Sequence, residues 1–425
     1  MACFRAGRLG LAVAAIVGLA LQCAQASPYP LSGHGFSGAE LRKAEPHPCA
    51  QAAPPQTQLD LNSTVLSVQS RPWGMVYLDE TTAFAAINFS VGVLDTSEFT
   101  PKLKYMLPLP PSALIGNTDP DADGYGLREM ALTHDKENLY VATGFGAVIL
   151  DVPRALLGRN DSFVGVLSNN GLAGQSAIEV SITADDEFAF VSQEFGSNVT
   201  HDLGGIEAYS IVRNENRTVT AAYRGFIGLG FRTIGQQFSL DHSRLFVTSE
   251  INGTARSLNE TGGLISVLDV ATLRAVPNKS LVKNVPGGCH PVRSTMSVDG
   301  KQLWVTTRES NQVLAFDADM LAQNATNDPL LATLGTGTSP LGITAIKDYI
   351  FVADSNRFLY SGTTTGISVF NIKDALQKGS VNFPQIPTGA FPRSLTTSPS
   401  GNTLLVSEFN ASSIRAVDIS QLNAV

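Results

Sequence analysis

Arg293 and Arg308 flank a single turn in the stretch HPVRSTMSVDGKQLWVTTRESNQVLAFD, residues 290–317. Each guanidinium offers a planar fork of donors, so the pair can hold a carboxylate or a lactone oxygen in bidentate fashion. Glu179, Glu250 or His290 nearby would supply a general base or acid. Positive charge at a carbonyl oxygen together with a mobile proton is what opening or closing a lactone needs. These five residues are the catalytic candidates. Glu129, Gln236, Glu194, Arg393 and Glu408 are candidates for holding the ligand. The same charges can instead pair with one another and serve only the fold.

Residues so far apart in sequence meet only if a repeat brings them together. In the same stretch, QLWVTTR (302–308) follows a D-G turn and is followed by QVLAFD. It has counterparts in TAFAAI (82–87), NLYVAT (138–143), EFAFVSQ (187–193), RLFVTSE (244–250), YIFVADS (349–355) and TLLVSEF (403–409). These runs are β-branched and aromatic, as half-buried strands are. Seven units of roughly fifty residues, each with several short strands, predict an all-β fold, a seven-bladed β-propeller. The last unit lacks a fourth strand, and QLDLNSTVLSVQS (58–70) has strand character. We therefore expect an N-terminal strand to complete the last blade and close the ring. In such a fold the start of each first strand and the end of each second strand meet on one face. Aligning the units places Gly74, Glu129, Glu179, Gly235, Gly342 and Ser394 level with Arg293. The three glycines would leave room for a ligand. The Met and Trp residues read as blade packing.

Two units carry a family pattern. TGAFPRSLTTSPSGNTLLVSEFNASSIRAVDIS (388–420) and LWVTTRESNQVLAFD (303–317) resemble units of lactonase-family, YVTN-like seven-bladed propellers. That family includes 6-phosphogluconolactonases and carboxymuconate-lactonising enzymes. The resemblance implies a lactone hydrolase or lactonising cycloisomerase acting on a small molecule. Thr306-Thr307 stands where the family often has Ser-Asn, and Arg308 keeps the pattern. The wider group also contains propellers that only bind, so a protein or glycan ligand on a rigid platform is the alternative.

Residues 1–26 read as a secretory signal peptide, with Arg5 and Arg8 before an apolar run and Ala24-Gln25-Ala26 as the cleavage site. Residues 27–56, rich in Pro and Ala, read as an extended lead-in, and 57–425 as the propeller. Cys49 and Cys289 survive cleavage and, in an oxidising compartment, are expected to pair, although two free thiols would also fit. Ten N-x-S/T sequons fit an exported glycoprotein: Asn62, Asn88, Asn160, Asn198, Asn216, Asn252, Asn259, Asn278, Asn324 and Asn410. A net charge of −8 without a basic run argues against a nucleic-acid partner. No later run of apolar residues is long enough for a membrane span. The histidines are unclustered, which argues against zinc. Asp119, Asp121 and Asp123 begin like a Ca²⁺ loop, but Met130 stands where the bidentate Glu should be. They form a half-site for Ca²⁺ or simply an acidic connection, and no other cofactor is expected. There is no G-x-S-x-G elbow and no P-loop.

Overall fold

The computed structural model describes residues 49–113, 126–254, 262–323, 327–358, 363, 365–379 and 383–424. The signal segment, most of the lead-in, the acidic half-loop Asp119–Asp123, Asn259 and Asn324 lie outside them. The fold is all-β. The first unit is the meander Pro72–Asp79, Thr82–Ile87, Ser90–Asp95 and Lys102–Pro108. The second runs Met130–Leu132, Asn138–Thr143, Gly146–Asp151 and Phe163–Ser168. The third and fourth share one seven-stranded sheet, because a single long strand, Val219–Phe238, serves both. Its first part pairs with Gly204–Arg213 and its second with Arg244–Ile251. The fifth unit begins at Pro291–Met296, the sixth at Pro340–Ile346 and the last at Pro392–Thr397.

Two features of the sequence set the ends of these strands. Asp151, Asp269, Asp317 and Asn371 close the third strands of four units, and each caps a short helix by accepting from a backbone N–H. Between first and second strands, the Asp135, Asp185, Asp241 and Asp299 carboxylates accept from Thr133, Thr183, Ser239 and Ser297, fixing tight turns.

The core lies between units. One bulky residue of each second strand packs into the next unit: Phe84 with Val141, Tyr140 with Val191, Phe190 with Val247, Phe246 with Val305, Trp304 with Val352, and Phe351 with Val406. Leu405 of the last unit shares a cluster with Ala85 of the first. Ser63–Ser67 pairs antiparallel with Ser413–Val417 as the outer strand of the last unit.

The lead-in from Cys49 onward is tied down along the outside of three units. Cys49 is bonded to Cys289, with their Cα atoms 5.9 Å apart. The Asn311 amide donates to the Gln51 carbonyl at 2.6 Å. Thr57–Gln58 adds a short parallel pairing to Pro384–Gln385. Among the described residues no helix is long and apolar enough to cross a membrane.

Candidate ligand site where the first strands meet

Six of the seven first strands are irregular where the side chains of interest sit, the exception being Met130–Leu132. The pairing register shifts between Pro72 and Met75, Ala177 and Glu179, Thr233 and Gln236, Pro291 and Ser294, Pro340 and Ile343, and Pro392 and Leu395. Such β-bulges re-aim side chains and leave backbone groups without a ladder partner. Second-strand hydroxyls satisfy them. The Arg293 N–H donates to Thr306 Oγ1 at 3.1 Å, and the Thr306 hydroxyl donates on to the Leu341 carbonyl of the next unit at 2.9 Å. Thr248 and Ser192 do the same towards Val292 and Ile234. The residue before three of these bulges, His290, Ser339 or Phe391, has a left-handed backbone and precedes proline.

The bulges bring residues from distant units together. Arg293 donates to Glu179 and, at 3.2 Å, to Glu129. Ser394 donates to the other oxygen of Glu129 at 3.2 Å. Gln236 donates to the Glu179 and Phe190 carbonyls at 3.0 Å, so it links backbones and is buried. Burial pushes the Glu179 carboxyl up to about 7 against the pull of Arg293, and Glu129 adds to the rise. The Glu179 side chain nonetheless keeps 22% of its surface, which leaves it open to a small ligand. The glycines do not leave the expected space. A Cβ at Gly235 would lie 2.6 Å from the Val292 oxygen, and one at Gly74 2.6 Å from that of Arg128. Adjoining first strands fill the room.

A second cluster is buried more deeply. Glu250, 1% exposed, faces Arg308, 4% exposed, at 2.7 Å, with Arg232 at 3.3 Å and His290 Nδ1 at 3.8 Å. Burial pushes the Glu250 carboxyl up, but Arg308 and Arg232 outweigh it and hold the group below its ordinary range. Arg308 is thus engaged by protein carboxylates, Glu309 at 3.4 Å included. Glu194 accepts from the Ser176 hydroxyl at 3.4 Å.

Glu408 is not part of this assembly. It sits one strand position earlier than Arg308, Glu250 and Glu194 in their units, and strand periodicity turns it to the other face. There it accepts from Arg415 and Ser413 at 2.6 Å and from the Gly389 N–H at 2.7 Å. Asp354, in the matching place, accepts from Ser368 and Gln385.

Sequence reasoning missed three neighbours. Trp73 packs against the cluster between the first two units and also carries two cations: the Arg393 guanidinium lies 3.3 Å from its ring centroid and that of Arg128 5.3 Å. Arg357 and Phe358 form the third contact, with Arg308 also over the Phe358 ring. The signal was present in R-P-W-G (71–74), which aligns with H-P-V-R and F-P-R-S. Among the described residues no group of His, Cys, Asp and Glu could hold a metal ion.

Two buried carboxyls, Glu207 and Asp354, and the partly buried Glu179 give a pH prediction. Burial pushes Glu179, Glu207 and Asp354 each up to about 7. In the unfolded chain they titrate at about 4, so at intermediate pH the folded protein binds more protons. Stability should therefore rise as pH falls from 8. Carboxylates held low, such as Asp241 at about 2 through its Ser239 and Ser243 hydrogen bonds, reverse the trend in acid. A plot of thermal midpoint against pH should peak at about pH 5. A midpoint falling steadily from pH 8 downwards would contradict this.

A model of the family described as Lactonase, 7-bladed beta-propeller, matches residues 282–424, which include both stretches that carry the resemblance. A search of curated proteins finds no match. Among solved structures, a chain of Kuenenia stuttgartiensis hydrazine synthase is 15% identical with a TM-score of 0.59, over 86% of this chain and 97% of that one. A chain of a mitotic checkpoint complex is 11% identical with a TM-score of 0.58, over 86% and 96%. At these identities the likeness is one of fold, and the fold is of propeller type.

Proposed function

We propose that this chain is a secreted, glycosylated seven-bladed β-propeller that takes a small lactone or carboxylate at its channel mouth and opens or closes the lactone there. In this reading the ring is closed by Ser63–Ser67 as the outer strand of the last blade. Support for closure comes from its pairing with Ser413–Val417 and from the cluster joining Leu405 to Ala85. Support for export comes from the signal-like N-terminus, the Cys49–Cys289 bond and the exposure of Asn62, Asn88, Asn160, Asn198, Asn216, Asn252 and Asn278. Asn410 is half-buried.

The observation that carries the chemistry is the Glu129–Arg293–Glu179 assembly. It holds a partly exposed carboxyl whose affinity for protons is matched to neutral pH, beside a fixed guanidinium. In the hydrolytic direction, ionised Glu179 takes a proton from water as its oxygen attacks the lactone carbonyl. The proton then passes to the ring oxygen as the C–O bond breaks. Arg293 keeps Glu179 oriented.

The test is turnover of a panel of γ- and δ-lactones. Glu179→Gln should lower the rate by roughly 100-fold with the fold intact by circular dichroism. The wild-type rate should rise with pH through about 7 as the base ionises. A second reading, a non-enzymatic binding platform, is favoured by the full engagement of Arg308 and Arg293 with protein carboxylates. No turnover of any lactone by the wild type would leave that reading in place.

A further inference from the structure

We infer that a cleft between the first and last units is a seat for the glycan carried on Asn62. The inference rests on the export and glycosylation proposed above and is independent of the lactone chemistry. Asn62 opens the sequon Asn-Ser-Thr just before the outer strand of the last unit, and it is exposed. Its carbonyl accepts from the Asp418 N–H at 2.9 Å, so the strand pairing reaches this residue. Side chains alternate along a strand: Ser63, Val65 and Ser67 are exposed, while Thr64 and Leu66 are half-buried. Asn62 shares the side of Thr64 and Leu66. That side faces the first unit. The Thr64 hydroxyl donates to the Phe99 carbonyl at 3.1 Å, and Leu66 packs against the cluster of Tyr77 and Leu405. Asn62 lies about 7 Å from Thr64 along the strand, so the first sugars of its glycan start beside Phe99.

Phe99 lines a cleft of about 360 Å³ made by residues between 77 and 101 of the first unit and between 398 and 416 of the last. Sites for small ligands span about 300–1,000 Å³. The lining suits a neutral, hydroxyl-rich ligand. Phe99 keeps 39% of its surface, and with Pro101 it offers an apolar wall to a sugar face or an acetamido methyl. Tyr77 is only 8% exposed and lines the cleft, and its hydroxyl makes no hydrogen bond among the described residues. Burial, with Glu80 adding to it, pushes that hydroxyl well up, so it stays a donor. The exposed Asn402 side chain, also without a hydrogen bond among the described residues, brings both a donor and an acceptor. Glu98 accepts from Lys102 at 2.7 Å, and Glu80 from the Ser400 hydroxyl at 3.0 Å. Their charge disfavours an anion and leaves further lone pairs for sugar hydroxyls. A glycan rooted in the last unit and seated against the first ties the two together.

The experiment uses the intact protein secreted from a host that adds N-glycans. Peptide mapping by mass spectrometry should find a glycan on Asn62. An N-glycosidase acting on the native protein should release it about tenfold more slowly than glycans on exposed sequons such as Asn160 and Asn216. A seated population of about nine-tenths leaves only the remainder open to the enzyme. Phe99→Ala removes the apolar wall, and Tyr77→Phe removes only a hydroxyl. Each should speed release at Asn62 by roughly threefold or more and leave the other sites unchanged. Equal release at all these sites, or slow release at Asn62 that both variants leave unchanged, would overturn the seat. A bare Asn62 with glycans elsewhere would overturn it and leave export and glycosylation standing. No glycan on any sequon would overturn the glycoprotein reading itself, and the seat with it.

Discussion

Replacing Glu250 with alanine is expected to destabilise the fold by about 3–5 kcal/mol, measured as the loss of unfolding free energy in urea. Glu250 is almost wholly buried and is shared by Arg308, Arg232 and His290. Removing it leaves Arg308, itself only 4% exposed, as a desolvated cation with one weaker partner, Glu309. Most of the loss is the cost of that stranded charge rather than the worth of the original pair. Two controls follow. Arg308→Met alone should cost less, since Glu250 keeps Arg232 at 3.3 Å and His290 at 3.8 Å. The double variant Glu250→Leu with Arg308→Met should recover part of the loss, because the most deeply buried pair is replaced by apolar groups while Arg232 alone loses its partner. If Glu250→Ala costs less than about 1 kcal/mol, the cluster is solvated and exchangeable, and Arg308 is again available to a ligand.

Breaking the Cys49–Cys289 bond should cost about 2–5 kcal/mol, the range for a bond that closes a long loop. The two cysteines are 240 residues apart, so the reduced unfolded chain regains a large freedom. The segment after Cys49 runs past Asn311 and Pro384 before reaching the last unit. As far as Gln58 its hold on these units is otherwise made largely of exposed hydrogen bonds, and beyond it Leu59 and Leu61 pack against the cluster of Phe351 and Val406. Thermal midpoints of the wild type with and without reductant, beside Cys49→Ser, would measure the effect. Limited proteolysis adds location: cleavage should appear first between residues 49 and 61 once the bond is lost. An unchanged midpoint together with an unchanged cleavage pattern would mean that strand pairing alone holds the segment.

The second and third strands were the most legible part of the sequence. QLWVTTR and its counterparts sit within a residue or two of observed strands such as Gln302–Thr307 and Thr403–Glu408. Buried strands with an aromatic at a fixed place leave a strong pattern, because the same interface recurs. The level of Arg293, Glu129 and Glu179 was legible for the same reason, and these residues do meet. The bulges were not legible, since one unpaired residue leaves no mark in composition. A slip of one position misplaced Glu408, which faces Arg415 instead. Pairing partners also escaped notice. The sequence leaves open whether Arg308 meets a ligand or a protein carboxylate, and only the fold shows Glu250 and Glu309 against it. Trp73 was overlooked because a lone tryptophan in a β-rich chain has an ordinary explanation in packing.

The second-strand hydroxyls bear on how the molecule can breathe. Ser192, Thr248 and Thr306 each reach a carbonyl in the following unit, bolting the third unit to the fourth, the fourth to the fifth and the fifth to the sixth. Alanine occupies that place at Ala86, Ala142 and Ala353, where no such bolt can form. Sliding one unit against its neighbour therefore meets extra resistance from the third unit to the sixth. The second unit is tied to the third by another device, the Arg128 guanidinium, which donates to the Ser176 hydroxyl at 2.9 Å and to the Ala177 carbonyl at 2.7 Å.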